Sequence, residues 1–132
     1  YKNFFDELLN HSAKGALLIN CSAGKERTGI GVALLLRALG VPQETVLYDF
    51  MLSKIYFPAE LEVDRVLEKY GVSNEEGKGV KLIWPLLETR ESYLQSAFET
   101  VDSVYGSMDN FLESGLGLDK LRLAELRRLY TA

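Results

Sequence analysis

Cys21 and Arg27 bracket the run Cys21-Ser22-Ala23-Gly24-Lys25-Glu26-Arg27-Thr28-Gly29. A loop of this length that closes onto a helix turns several main-chain N–H groups inward and adds the positive end of the helix. Such a hollow suits a tetrahedral dianion. The planar fork of Arg27 can hold two phosphate oxygens at once, which an ammonium cannot do. The same field lowers the pKa of Cys21 and favours the thiolate, the nucleophilic form of the side chain. Attack of that thiolate on phosphorus gives a cysteinyl-phosphate, which water then hydrolyses. Thr28 is placed to hydrogen-bond Cys21 and ease departure of the sulfur. Gly24 and Gly29 allow a tight turn and a close approach of the main chain to a ligand.

The flanking pattern tells which elements must carry this loop. The apolar run Gly15-Ala16-Leu17-Leu18-Ile19 enters it, and residues 16–20 read as a strand. The run 28–39 leaves it as a helix that is apolar almost all round, and so deeply buried. Gly40 stops that helix and Pro42 opens the next, read over 43–55. Tyr1, Phe4, Phe5, Leu8 and Leu9 fall at helical spacing ahead of the strand, with an exit loop over 11–15. In that loop the lone His11 reads as a solvated turn residue. Tyr56-Phe57-Pro58 interrupts the pattern, and 59–70 resumes it with Glu62, Asp64, Arg65, Glu68 and Lys69 as a solvated face. The polar, glycine-rich segment 71–79 reads as a mobile loop that tolerates insertion. Trp84-Pro85 breaks the ambiguous apolar stretch 81–87. Helices are predicted over 91–105 and, capped by Ser107 and Asp119, over 107–112 and up to about residue 130. Arg122, Arg127 and Arg128 near that last end suit the helix dipole and solvent.

The loop resembles the signature of the cysteine-dependent protein tyrosine phosphatases. Its Ala-Gly-Lys-acid-Arg-Thr-Gly form is most similar to the bacterial tyrosine/serine phosphatases. Tyr93-Leu94 and the tail Tyr105-Gly106-Ser107-Met108-Asp109-Asn110-Phe111-Leu112 support the same family. The resemblance implies an α/β fold in which the loop follows the central strand of a mostly parallel sheet. With one clear strand in view, the chain is expected to be the C-terminal, helix-rich part of a single phosphatase domain, 1–132, whose other strands come from a missing N-terminal half. The helices after the loop are implied to form a lid. There the aromatic residues Tyr48, Phe50, Tyr56 and Phe57 either line a substrate or pack the core. Asp49 either faces the site or lies on the surface.

Two positions depart from the family. Asn20 stands where histidine usually precedes the cysteine, and its amide is expected to hold the loop by hydrogen bonds instead. Glu26 stands where relatives carry aspartate, and by position it inherits the role of general acid. Lys25 is expected at the rim as a second positive charge that bears on substrate choice, since phosphoinositide phosphatases also carry lysine there. Catalysis is thus assigned to Cys21, Glu26, Arg27 and Thr28, and substrate binding to Ser22, Ala23, Gly24, Lys25, Glu26 and Arg27. The implied substrates are phosphorylated proteins or phosphoinositides, in a bacterial protein that is cytoplasmic or secreted as an effector. No metal or cofactor is called for, and phosphate, sulfate or vanadate should occupy the loop.

The formal net charge of -4 gives no general attraction to nucleic acid and makes the positive field at the loop a local one. One cysteine excludes an internal disulfide. No apolar run reaches the ~18 residues of a membrane span, and no signal peptide is recognised. A nucleotide P-loop is excluded because Ile19 stands where its first glycine belongs and Glu26 follows Lys25. A sulfurtransferase loop is shorter and lacks Arg-Thr-Gly. A catalytically silent phosphate-binding module remains an alternative, as does Cys21 serving as a small buried hydrophobe.

Overall fold

A computed structural model gives the arrangement of residues 1–11, His11 by its backbone alone, and 15–131. The expected exit loop at 12–14 and the reading of the His11 side chain lie outside that description. The described residues form helices α1 (Lys2–His11), α2 (Glu26–Ala38), α3 (Gln43–Met51), α4 (Ser53–Tyr56), α5 (Val63–Tyr70), α6 (Lys78–Leu87), α7 (Glu91–Tyr105), α8 (Met108–Asn110) and α9 (Lys120–Tyr130). A π-helical turn, Phe111–Gly115, continues α8, and single 3₁₀ turns precede α5 and α6.

The central helix is α2, and its two faces serve two cores. Leu34 and Ala38 pack with Phe5 and Leu8 of α1, with Leu112, Leu116 and Leu118, and with Leu126 of α9. Ala33 packs on the other side with Val46 and Phe50 of α3 and with Leu94 and Phe98 of α7. Burial on both sides is what the all-round apolar sequence of α2 requires, and each large side chain so removed from water contributes ~1.5–3 kcal/mol. Polar ties lock the outer helices to this centre. The Tyr130 hydroxyl donates to the Leu8 carbonyl at 2.8 Å, and Arg127 Nε donates to the Ala38 carbonyl at the end of α2 at 2.9 Å. Arg122 pairs with Asp6, and Arg128 with Glu125. The predicted caps form: Ser107 Oγ accepts from Asn110 N, and Asp119 Oδ1 from Arg122 N.

A second body lies over the loop. Val66 and Leu67 of α5 pack against Ile83 and Leu87 of α6, with Phe57, Val63 and Trp84 closing the cluster. This is the region expected to form the lid, and it differs from expectation in two places. Helix α6 runs through Trp84-Pro85 to Leu87. The N–H that proline lacks falls opposite Lys81, an exposed residue whose carbonyl water can serve. The 71–79 segment is also less free than its composition suggests. Gly79 is buried in the first turn of α6, and a Cβ there would stand 2.9 Å from Asn74 Cα. The Asn74 side chain accepts from Val80 N at 3.1 Å. An insertion at that end would break a packed joint.

The strand predicted over 16–20 is not formed: these residues carry no ladder partner among the described residues. Leu17 and Leu18 are exposed, Leu18 at 84%. A strand is defined by its neighbour, and apolar, β-compatible residues alone do not supply one.

Candidate active site

The loop 21–25 hands directly into α2, whose first residues are Glu26, Arg27 and Thr28. Gly24 adopts φ +70°, the left-handed conformation that the turn needs. Gly29 has another task. It lies within α2, and a Cβ there would meet the Phe50 ring at 2.8 Å, so the missing side chain admits α3 rather than a ligand.

Cys21 is half-buried, and its pKa is lowered to about 6. The largest cause is the hydrogen bond from the Thr28 side chain. Desolvation opposes it, and the main-chain N–H groups of Thr28, Ala23 and Gly24 add to the lowering. The Thr28 hydroxyl is buried and closes no hydrogen bond of its own, so it is free to turn toward the sulfur. The thiolate is therefore held by the first turn of α2 and the loop amides.

Cys21, Ser22, Ala23, Glu26 and Arg27 line one side of a cleft of about 230 Å³. Its other side comes from the lid, with Phe57, Arg65, Val66, Lys69, Tyr70 and Leu86. Behind the cysteine a second, mostly apolar hollow is lined by Tyr1, Phe4, Asn20, Arg27 and Gly31. The Tyr1 hydroxyl donates to the Arg27 carbonyl at 3.0 Å, which anchors the main chain of Arg27 and leaves its guanidinium on the exposed side. Asn20 is exposed and makes no hydrogen bond to the loop among the described residues, so the expected amide brace is not formed. A larger hollow, about 540 Å³, lies beyond Phe57 between Lys54, Glu60, Glu88 and Arg90. Neither Cys21 nor its loop lines it.

Lys25 departs most from expectation. Its side chain is only 2% exposed and does not stand at the rim. The ammonium donates to the carbonyls of Leu86 at 3.1 Å, Leu87 at 2.5 Å and Glu88 at 3.0 Å. It also stands 4.8 Å from the centroid of the Phe57 ring and 3.1 Å from Glu26 Oε1. These are the orphan acceptors at the end of α6, which a helix must satisfy from outside itself. The Tyr93 hydroxyl takes one more, the Pro85 carbonyl, at 3.2 Å. Lys25 thus serves as a remote C-cap that ties the loop to the lid. Glu26, whose Oε1 is buried beside that ammonium, is one of the residues that line the cleft.

Of the expected aromatic cluster, Phe50 is core and Phe57 sits between Lys25 and the cleft, while Tyr48 and Tyr56 are exposed. Asp49 is exposed on α3. Arg65 and Lys69, read from the sequence as part of a solvated face, are cleft residues. Their i, i+4 spacing beside buried Val66 is the signal that marks one shared face.

With this geometry in place, comparison with known proteins is decisive on family. The model of the tyrosine phosphatase family matches residues 1–132. The chain belongs to that family. It is 34% identical over 135 residues to a protein named as a tyrosine-protein phosphatase in Cupriavidus necator, covering 100% of this chain and 46% of that one. It is 28% identical over 117 residues to the triple specificity protein phosphatase PtpB of Mycobacterium tuberculosis, covering 84% of this chain and 42% of that protein. A tyrosine-protein phosphatase of Nostoc commune shares 26% over 113 residues. The chain spans less than half the length of these relatives. Among the described residues, no helix of this family member is long and apolar enough to cross a membrane.

Proposed function

We propose that the chain is the catalytic, C-terminal part of a single phosphatase domain that hydrolyses phosphomonoesters on tyrosine and serine side chains. The supporting observation is the Cys21 thiol, with its pKa lowered to about 6, sharing one cleft with Arg27. At neutral pH Cys21 is mostly thiolate. Its sulfur attacks phosphorus, an S–P bond forms, and the ester P–O bond breaks. Arg27 and the loop N–H groups of 22–27 hold the equatorial oxygens as charge shifts onto them. The leaving oxygen takes a proton from Glu26, the acid on the cleft wall. Water then attacks phosphorus, its proton returns to Glu26, and the S–P bond breaks to give inorganic phosphate. The Thr28 hydroxyl, which lowers the Cys21 pKa and has no competing partner, stabilises the departing thiolate.

The unpaired run 16–20 fits the remaining part of this reading. Its exposed Leu17 and Leu18 offer an edge and two faces that strands from the rest of such a domain would cover. Phosphoinositides are the second substrate class for this mechanism, after phosphorylated side chains. The name of the M. tuberculosis relative speaks for more than one specificity in the family.

Hydrolysis of phosphotyrosine and phosphoserine peptides tests the proposal. Cys21→Ser should abolish turnover and keep phosphate or vanadate binding, and Arg27→Lys should lose most of the rate despite its charge. Turnover surviving in Cys21→Ser would exclude the thiolate route.

A further inference from the structure

With Lys25 withdrawn under Phe57, the lid supplies the cations that face the catalytic cleft beside Arg27. Arg65 and Lys69 of α5 both line it and both are exposed. Their rotation is fixed, because Val66 and Leu67 on the same helix are buried against α6. Lys69 makes no ion pair among the described residues, and its ammonium stands 5.5 Å from the centroid of the Tyr70 ring. Arg65 pairs with Glu62 through Nε and Nη2 on a single carboxylate oxygen, Oε2, which leaves Nη1 unengaged by that pair.

We propose that Arg65 and Lys69 form a second anion subsite, which takes acidic side chains of a phosphopeptide whose phosphate lies over Cys21. The inference rests on the hydrolytic reading of the Cys21 cleft. Spacing supports a peptide. Residues one helical turn apart stand about 5–6 Å from each other at Cβ. Alternate side chains of an extended strand are about 6.6–6.8 Å apart. Two acids at alternate positions of an extended substrate therefore match the pair. Phe57, Val66 and Leu86, apolar residues that line the same cleft, suit the aromatic ring of the phosphorylated residue.

The experiment compares kcat/KM for a phosphotyrosine peptide bearing glutamates at alternate flanking positions with that for the same peptide bearing glutamines. Two exposed charge pairs correspond to a preference of about tenfold for the acidic peptide at low salt. The Arg65→Gln/Lys69→Gln double variant should bring the ratio to about one, with KM carrying the change. Glu62→Gln should raise the ratio, because it releases Arg65 from its internal partner. Exposed substitutions of this kind leave the fold intact, and a thermal melt of each variant verifies that. A wild-type ratio of one, or a ratio unchanged in the double variant, overturns the subsite. Binding to vesicles of phosphatidylcholine and phosphatidylserine that is lost in the double variant, with a peptide ratio of one throughout, also overturns it. Calorimetric titration of Cys21→Ser with the two peptides separates the two levels of the argument. Acid preference in binding without wild-type turnover removes the hydrolytic reading and keeps the subsite; equal affinities remove the subsite alone.

Discussion

Replacing Lys25 by methionine takes an ammonium away from three carbonyls and one carboxylate while keeping an apolar stem against Phe57. The contacts with Leu86 and Glu88 are part-buried, so water can replace the lysine there. The contact with Leu87 is fully buried, and its carbonyl is left without a donor. One orphaned buried acceptor costs about 1–3 kcal/mol. Release of Glu26 from its buried partner raises the expected loss to about 2–3 kcal/mol. For a chain of this length each kcal/mol moves the melting point by about 3–4 °C, so Lys25→Met should lower Tm by about 6–12 °C. Amide exchange should accelerate in α6 before it does so in α2, because the lid loses its tie to the loop. A rim lysine would give the opposite outcome. A variant with unchanged Tm, unchanged exchange in α6 and weakened vanadate affinity would refute the C-cap assignment.

Other outcomes follow from the same geometry. Alkylation of Cys21 by iodoacetamide should show a midpoint near pH 6, and Thr28→Val should move it upward, since that hydroxyl is the largest cause of the lowering. The folded thiol lies below its ordinary value of 9.0. Its contribution to stability is therefore complete above about pH 9 and is lost as pH falls through about 6, which unfolding titrations against a Cys21→Ser reference would read. Glu26→Gln should slow a phosphoserine peptide by about 10²–10⁴-fold and an activated aryl phosphate far less, and equal losses on both would remove Glu26 as the acid. Gly29→Ala places a Cβ 2.8 Å from the Phe50 ring. It should cost about 1–3 kcal/mol in a chemical melt, and Phe50→Leu in the same background should recover part of that.

The gathering of Cys21, Glu26 and Arg27 at one cleft was legible in the sequence because it is local. Cysteine, glycine, arginine and threonine at fixed offsets leave few conformations that serve them all, and the apolar run after Thr28 can only be a buried helix. Lys25 was misread for the opposite reason: its partners lie 61–63 residues further on, and no local rule says which way a long side chain turns. Arg65 and Lys69 carried the ordinary signature of a solvated face, and only the packing of Val66 and Leu67 shows that this face overlooks the cysteine. Residues 16–20 had the composition of a strand, but pairing is a property of two segments. Trp84-Pro85 had the marks of a break, and it failed as one because the lost hydrogen bond falls on a solvated turn.

The open run before the catalytic loop has a practical cost. Residues 15–20 make no main-chain hydrogen bond among the described residues and carry a bare leucine, which is the template for edge-to-edge aggregation. Two molecules meeting there would zip into an intermolecular ribbon beside Cys21. Concentrated stocks should precipitate, and a charged residue in place of Leu18 is the remedy.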